Sequence, residues 1–181
     1  MSDDNSSDDN GTGLWENLRL VYQSYGGFSS LVVSGYFWVA AVTTALCWRT
    51  AFNEGWVELA IPVLPTLAGF SIAAYAVFFS VLSEGERAKL QKPSARLNGR
   101  APLLILASSV SHAVFVQISA ILVAIIFSAK PFPTPRGYDW VAEYVNYALS
   151  LFGLFLTVYG IILILAAVLS IFRILHIKSG L

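Results

Sequence analysis

Four stretches of the chain carry no charged side chain: residues 20–48, 59–83, 101–129 and 144–172. Each exceeds the ~20 apolar residues that an α-helix needs to cross the hydrocarbon of a bilayer. None alternates apolar and polar residues as a transmembrane β-strand does. Composition agrees, since 56% of the 181 residues are hydrophobic and only 12% are charged, about half the charged share of a soluble domain. Folded in water, such a chain would expose a large apolar surface. The expectation is an all-α integral membrane bundle of four transmembrane helices, with spans at about 30–48, 57–82, 102–127 and 147–172 in a domain covering 30–181.

Lys and Arg set the direction of such spans, because loops rich in them stay in the cytoplasm. Arg19, Arg87, Lys89, Lys92, Arg96, Arg100, Arg173 and Lys178 fall on one side, and Arg49, Lys130 and Arg136 on the other. This predicts both termini in the cytoplasm and outward loops at 49–56 and 130–143. Trp48, Trp56, Tyr138 and Trp140 then fall near the outer boundary, where aromatic rings keep their apolar body in lipid and their polar tip wet. The prolines of the outer loop at 131, 133 and 135 stiffen it. Short loops predict that consecutive spans lie side by side.

Residues 1–13, with Asp3, Asp4, Asp8 and Asp9, read as a disordered acidic tail, since they have nothing to bury. They lack the basic start of a secretion signal. Residues 14–25 place Leu14, Leu18, Val21, Tyr22 and Tyr25 on one helical face and Glu16, Arg19 and Gln23 on the other. That pattern predicts an N-terminal interfacial amphipathic helix, with Gly26 and Gly27 as the hinge into the first span.

Helices dissolved in lipid associate through close contact and interhelical hydrogen bonds, so their contact faces favour small residues. In the second span Pro62, Pro65, Gly69, Ala73, Ala76, Ser80 and Ser83 recur at intervals of three and four and fall within about 80° of one another on an ideal helix. Gly153, Gly160 and Ala167 repeat every seven residues in the fourth, a period that implies a left-handed crossing. Both faces are expected to look into the protein, with Leu, Ile and Phe toward lipid. Pro62 is expected in the first turn of its helix, where a missing N–H matters little, and Pro65 just beyond it.

The third span is the most polar. Ser108, Ser111, His112 and Ser119 form one stripe, with Gln117 opposite, and polar groups in a bilayer are costly enough that the stripe is expected to face protein or water. His112 is the one intramembrane group with an ordinary pKa near neutrality. It reads either as a relay in a polar path through a small transporter or channel, or as a neutral imidazole tied to a neighbour. The second reading is the stronger, because the span cores hold no carboxylate to partner it. Tyr75, Ser71, Thr157 and Tyr159 add hydroxyls suited to interhelical ties.

Motifs that would announce an enzyme, such as HExxH, a Walker loop or GxSxG, do not occur. Ser108 and His112 alone make a poor nucleophilic pair, lacking an orienting acid or an oxyanion site. The two histidines, His112 in the third span and His176 after the fourth, lie on different helices, and no metal site can be assembled from them. Catalytic residues, metal and cofactor are therefore expected to be none. The zero net charge gives no reason to expect nucleic acid. Cys47 is the single cysteine and cannot form an intramolecular disulfide.

The inner loop collects Arg87, Lys89, Lys92, Arg96 and Arg100, a candidate contact for anionic lipid or a cytoplasmic partner. Residues 61–80, IPVLPTLAGFSIAAYAVFFS, resemble a proline-and-GFS segment of small multispan bacterial membrane proteins, some of them retron-type phage-defence membrane effectors. The resemblance covers those residues alone and implies a place in the bacterial inner membrane, with no catalytic residues. The expected function is non-enzymatic. The chain would self-associate or join a partner membrane protein in the lipid bilayer, as a permeability effector or an accessory subunit.

Overall fold

The computed structural model describes residues 13, 16, 19, 32–94, 97, 99–129 and 139–179. The acidic tail, nearly all of the interfacial helix, Gly26, Gly27, Arg96 and most of the outer loop at 130–138 lie outside the described residues. The described elements are helices: α1 (Gly35–Leu46), α2 (Trp48–Phe52), α3 (Gly55–Val81), α4 (Glu84–Leu90), α5 (Pro102–Ala129) and α6 (Asp139–Ser179). Three of them, α3, α5 and α6, are long and apolar enough to cross a membrane, and α1 is a shorter apolar helix. The chain is a membrane protein built on an all-helical bundle.

The first expected span, 30–48, corresponds to a shorter helix. Ser34 is extended (φ −67°, ψ 128°), so α1 begins at Gly35, and it ends at Leu46 with Cys47 as its cap. Its 12 residues rise about 18 Å, against about 30 Å of hydrocarbon. The other three expected spans match α3, α5 and the middle of α6. The last runs over 41 residues, past the expected limits at both ends.

Helix α5 packs on both α3 and α6, and α3 also touches α6. The core residues give the direction. Trp56, Ala60 and Leu64 cluster with Ala120, Ala124 and Leu154 at one end, while Leu82 clusters with Leu103, Leu106, Ala167 and Ile174 at the other. Consecutive long helices are therefore antiparallel. Helix α1 departs from the expected side-by-side order. It packs chiefly on α6, through Ala40 with Tyr159, Leu163 and Ala166.

Pro62 and Pro65 lie in the interior of α3, because the helix starts at Gly55, earlier than the sequence suggests. Each removes one backbone hydrogen bond, a loss that membrane helices tolerate when local groups compensate. The carbonyls left without an i+4 N–H are those of Glu58 and Ile61; Thr66 Oγ1 donates elsewhere, to the Pro62 carbonyl at 3.2 Å.

After α3 the chain forms a helix where the sequence suggests only a charged loop. The Ser83-Glu-Gly-Glu86 stretch is a capping box. Glu86 N donates to Ser83 Oγ at 3.4 Å and Ser83 N to Glu86 Oε2 at 3.0 Å. From α4, Arg87 Nη2 donates to the Phe79 carbonyl at 3.0 Å, with its guanidinium 4.4 Å from the Phe79 ring centre. That carbonyl belongs to the last turn of α3, which has no intrahelical donor.

Candidate functional site

The best-tied place in the bundle is its Trp56 end. Trp56 opens α3 and is fully buried, so it is not the belt residue that the sequence suggests. Its Nε1 donates to Ser150 Oγ at 2.7 Å, and Ser150 Oγ donates to the Ala51 carbonyl at 2.6 Å. One buried hydroxyl thus joins α2, α3 and α6. The indole packs 5.5 Å from the Phe127 ring of α5 and lies against Gly153, where an added Cβ would overlap the ring. Trp48 and Trp140 are exposed, as an interfacial belt requires, and Tyr138 lies outside the described residues.

Beside this lock lies a cavity of about 360 Å³, lined in part by Phe52, Glu54, Glu143, Asn146, Tyr147 and Ser150. Tyr147 Oη donates to Glu143 Oε1 at 2.8 Å, and the Phe52 and Tyr147 rings stand 4.5 Å apart. Glu54 occupies the left-handed region at φ 57°, ψ 6° in the turn between α2 and α3, a conformation uncommon outside glycine.

The second tie is Gln117, fully buried although it lies across α5 from the serine stripe. Helix α5 is covered on two sides, so both faces are interior. Gln117 Nε2 donates to the Gly160 carbonyl at 3.0 Å. Its Oε1 has no hydrogen-bond partner among the described residues. An added Cβ at Gly160 would sit 3.2 Å from Gln117 Cγ and 3.5 Å from Leu64 Cδ2, so the glycine lets three helices meet.

The expected polar stripe does not run as one line through a single copy. Ser108 is buried and bonded to its own helix at the Ile105 carbonyl, 3.0 Å away. Ser111 is exposed. Ser119 is half-buried and bonded to the Phe115 carbonyl at 2.8 Å. His112 is buried, and its Nε2 shares a hydrogen bond with Tyr159 Oη at 3.3 Å, beside the stacked rings of Phe155 and Tyr159. The geometry is that of an interhelical tie.

The two small-residue faces differ. Gly153, Gly160 and Ala167 are buried, as expected. Gly69, Ala73, Ala76 and Ser80 are exposed, as are Pro62, Pro65 and Ser83, which corrects the expectation that this face looks inward. The inner face of α3 is Trp56, Ala60, Leu64, Ala68 and Ser71, with a Trp and a Leu seated over the glycines of α6.

Of the basic inner residues, Arg87 is turned back onto α3, whereas Lys89, Lys92 and Arg100 are exposed. The sequence reading missed Trp56, Ser150 and Gln117. Trp56 and Ser150 stand 94 residues apart, and no local pattern links them. Gln117 is an intramembrane amide, a costly group by itself, and that signal could have found it. No group of three or more metal-binding side chains occurs among the described residues. No protein-family model, curated protein or solved structure matches the chain.

Proposed function

We propose that this chain is a non-enzymatic, multi-pass protein of the bacterial inner membrane that self-associates through the outward face of α3. In that arrangement it serves as the membrane part of a larger assembly that alters permeability. The observation that carries the reading is the exposed row Pro62, Pro65, Gly69, Ala73, Ala76 and Ser80 on a helix whose most apolar window is only 17% buried, against 39% for α5 and α6. Bulky side chains gain nothing by avoiding lipid, but small ones allow two backbones to approach closely. Among the described residues no element covers the row. A second copy supplies one of the same chemistry.

In the proposed orientation Lys89, Lys92 and Arg100 face the cytoplasm and the Trp56 end faces outward. The count of Lys and Arg on the two sides supports this direction.

Gly69→Leu tests the association. A Cβ at Gly69 meets nothing within 4 Å, so the variant keeps its fold. Wild type is expected to run as an oligomer in detergent and in nanodiscs, and the variant as a monomer with an unchanged helical spectrum. Equal sizes for the two proteins would remove the proposal. For the orientation, a cysteine placed at Lys92 in a Cys47→Ser background should react with an impermeant maleimide only after the cells are opened.

A further inference from the structure

We propose that α4 and the loop after it bind the headgroup of an acidic phospholipid. The inference rests on the membrane placement of the bundle. It needs neither association of copies nor one particular orientation. The described part of the segment between α3 and α5 is folded. Leu90 at the end of α4 and Leu97 in the loop are buried, and Leu90 packs with Leu82 and Leu103 at the ends of the long helices. The backbone closes on itself around them. Lys92 N donates to the Lys89 carbonyl at 3.2 Å, Ser94 N to the Arg100 carbonyl at 3.2 Å and Gly99 N to the Ser94 carbonyl at 3.0 Å. Gly99 takes a φ of 76°, which glycine adopts without a steric cost.

This folding gathers three cations. Lys89 and Lys92 are joined by one turn, and the bridge between Ser94 and Arg100 returns the chain to a point two residues from Lys92. All three side chains are exposed, and none of them makes an ion pair among the described residues. The acids of the segment stand apart from them. Glu84 and Glu86 open α4 at its other end, and Glu86 Oε2 accepts from Ser83 N and Oγ. Arg87 is engaged by the Phe79 carbonyl and ring. The rule that basic loops stay in the cytoplasm accounts for the sign of this charge, but it requires no folded loop, and charged linkers left to themselves repel and extend. Holding unpaired cations together works against that repulsion, and a bound anion offsets it.

Position selects the anion. Val81 at the end of α3 and Leu104 in the first turn of α5 are exposed, so hydrocarbon reaches both flanks of the segment, and the cations lie just beyond it. A phosphate carried on acyl chains matches that order, and Lys and Arg are its usual protein partners, Arg through its planar fork. Phosphatidylcholine has a trimethylammonium beside its phosphate, which the three cations repel. A lipid with net negative charge has no such group.

The test uses the whole chain in detergent micelles, titrated with phosphatidylglycerol and in parallel with phosphatidylcholine. Bound lipid is read by native mass spectrometry. The expected result is saturable binding of phosphatidylglycerol and weak or no binding of phosphatidylcholine. Lys92→Gln should weaken phosphatidylglycerol binding about fivefold, and the combined Lys89→Gln, Lys92→Gln and Arg100→Gln variant about a hundredfold. All three changes fall on exposed side chains, so the variants keep the helical spectrum. Arg49→Gln removes an exposed cation at the opposite end of the bundle and should bind as wild type does. Equal binding of the two lipids would overturn the proposal and leave the loop to a cytoplasmic protein. Unchanged affinity in the combined variant would overturn it too, and so would a loss in Arg49→Gln as large as that in Lys92→Gln, which would mean diffuse charge attraction. Gly69→Leu protein should bind as wild type does, so failure here and failure of the association are distinguishable.

Discussion

Gly69 of α3 and Gly153 of α6 belong to rows of small residues of the same kind, yet the fold places them oppositely. Around Gly153 the indole of Trp56 fills the space that a Cβ would take, whereas a Cβ on Gly69 would meet nothing. One row is consumed inside the copy and the other is left on its surface. The difference comes from what lies across from each. The glycines of α6 face the bulky inner residues Trp56 and Leu64, and a large side chain needs a hollow to settle in. The small row of α3 has no such partner among the described residues. A stripe of small residues therefore does not by itself say whether the fold covers it.

The same substitution should have opposite signs at the two positions. Gly153→Ala forces the Trp56 ring out of place and strains the Ser150 hydrogen bond, so it should destabilise the bundle by about 3 kcal/mol, the upper part of the overpacking range. Ser150→Ala is milder. It deprives the buried Trp56 N–H of its acceptor and should cost about 1–2 kcal/mol. Gly69→Ala should leave the single copy unchanged or stabilise it by about 0.5 kcal/mol, through the better helix propensity of alanine. Reversible unfolding in mixed micelles measures all three, and a loss at Gly69 as large as that at Gly153 would erase the contrast.

Gln117→Leu sharpens the comparison from within the core. It removes the bond to the Gly160 carbonyl and also a buried Oε1 that has no partner among the described residues. Losing a donor and an unsatisfied acceptor together is nearly neutral, so the change in stability should stay within about 1 kcal/mol. A large loss would mean that Oε1 is satisfied in the membrane by a group such as an ordered water.

Much of the helical layout was legible because charges cannot sit in hydrocarbon. The charge-free runs mark α3, α5 and the middle of α6 closely, and the capping box at Ser83 is plain in the residues even though the surrounding charges suggest a loop. Burial was harder to read. Ser108 and His112 are interior as expected, but Ser111 on the same stripe is exposed and Gln117 on the opposite side is fully buried. A single periodic stripe describes a helix with one covered face, and α5 has two.

Charge exclusion and helix length are properties of each segment alone, so the amino-acid order by itself determined a helical membrane protein and roughly where its long helices run. Contacts between segments decided the rest. That Trp56 enters the gap over Gly153, that Ser150 links three helices, that α1 packs on α6, and that two carboxylates 89 positions apart in the numbering share one cavity all depend on which faces meet. Lipid solvates the apolar side of every helix almost equally well, so hydropathy does not select among those faces. Shape and hydrogen bonding do, and both exist only once the helices are together.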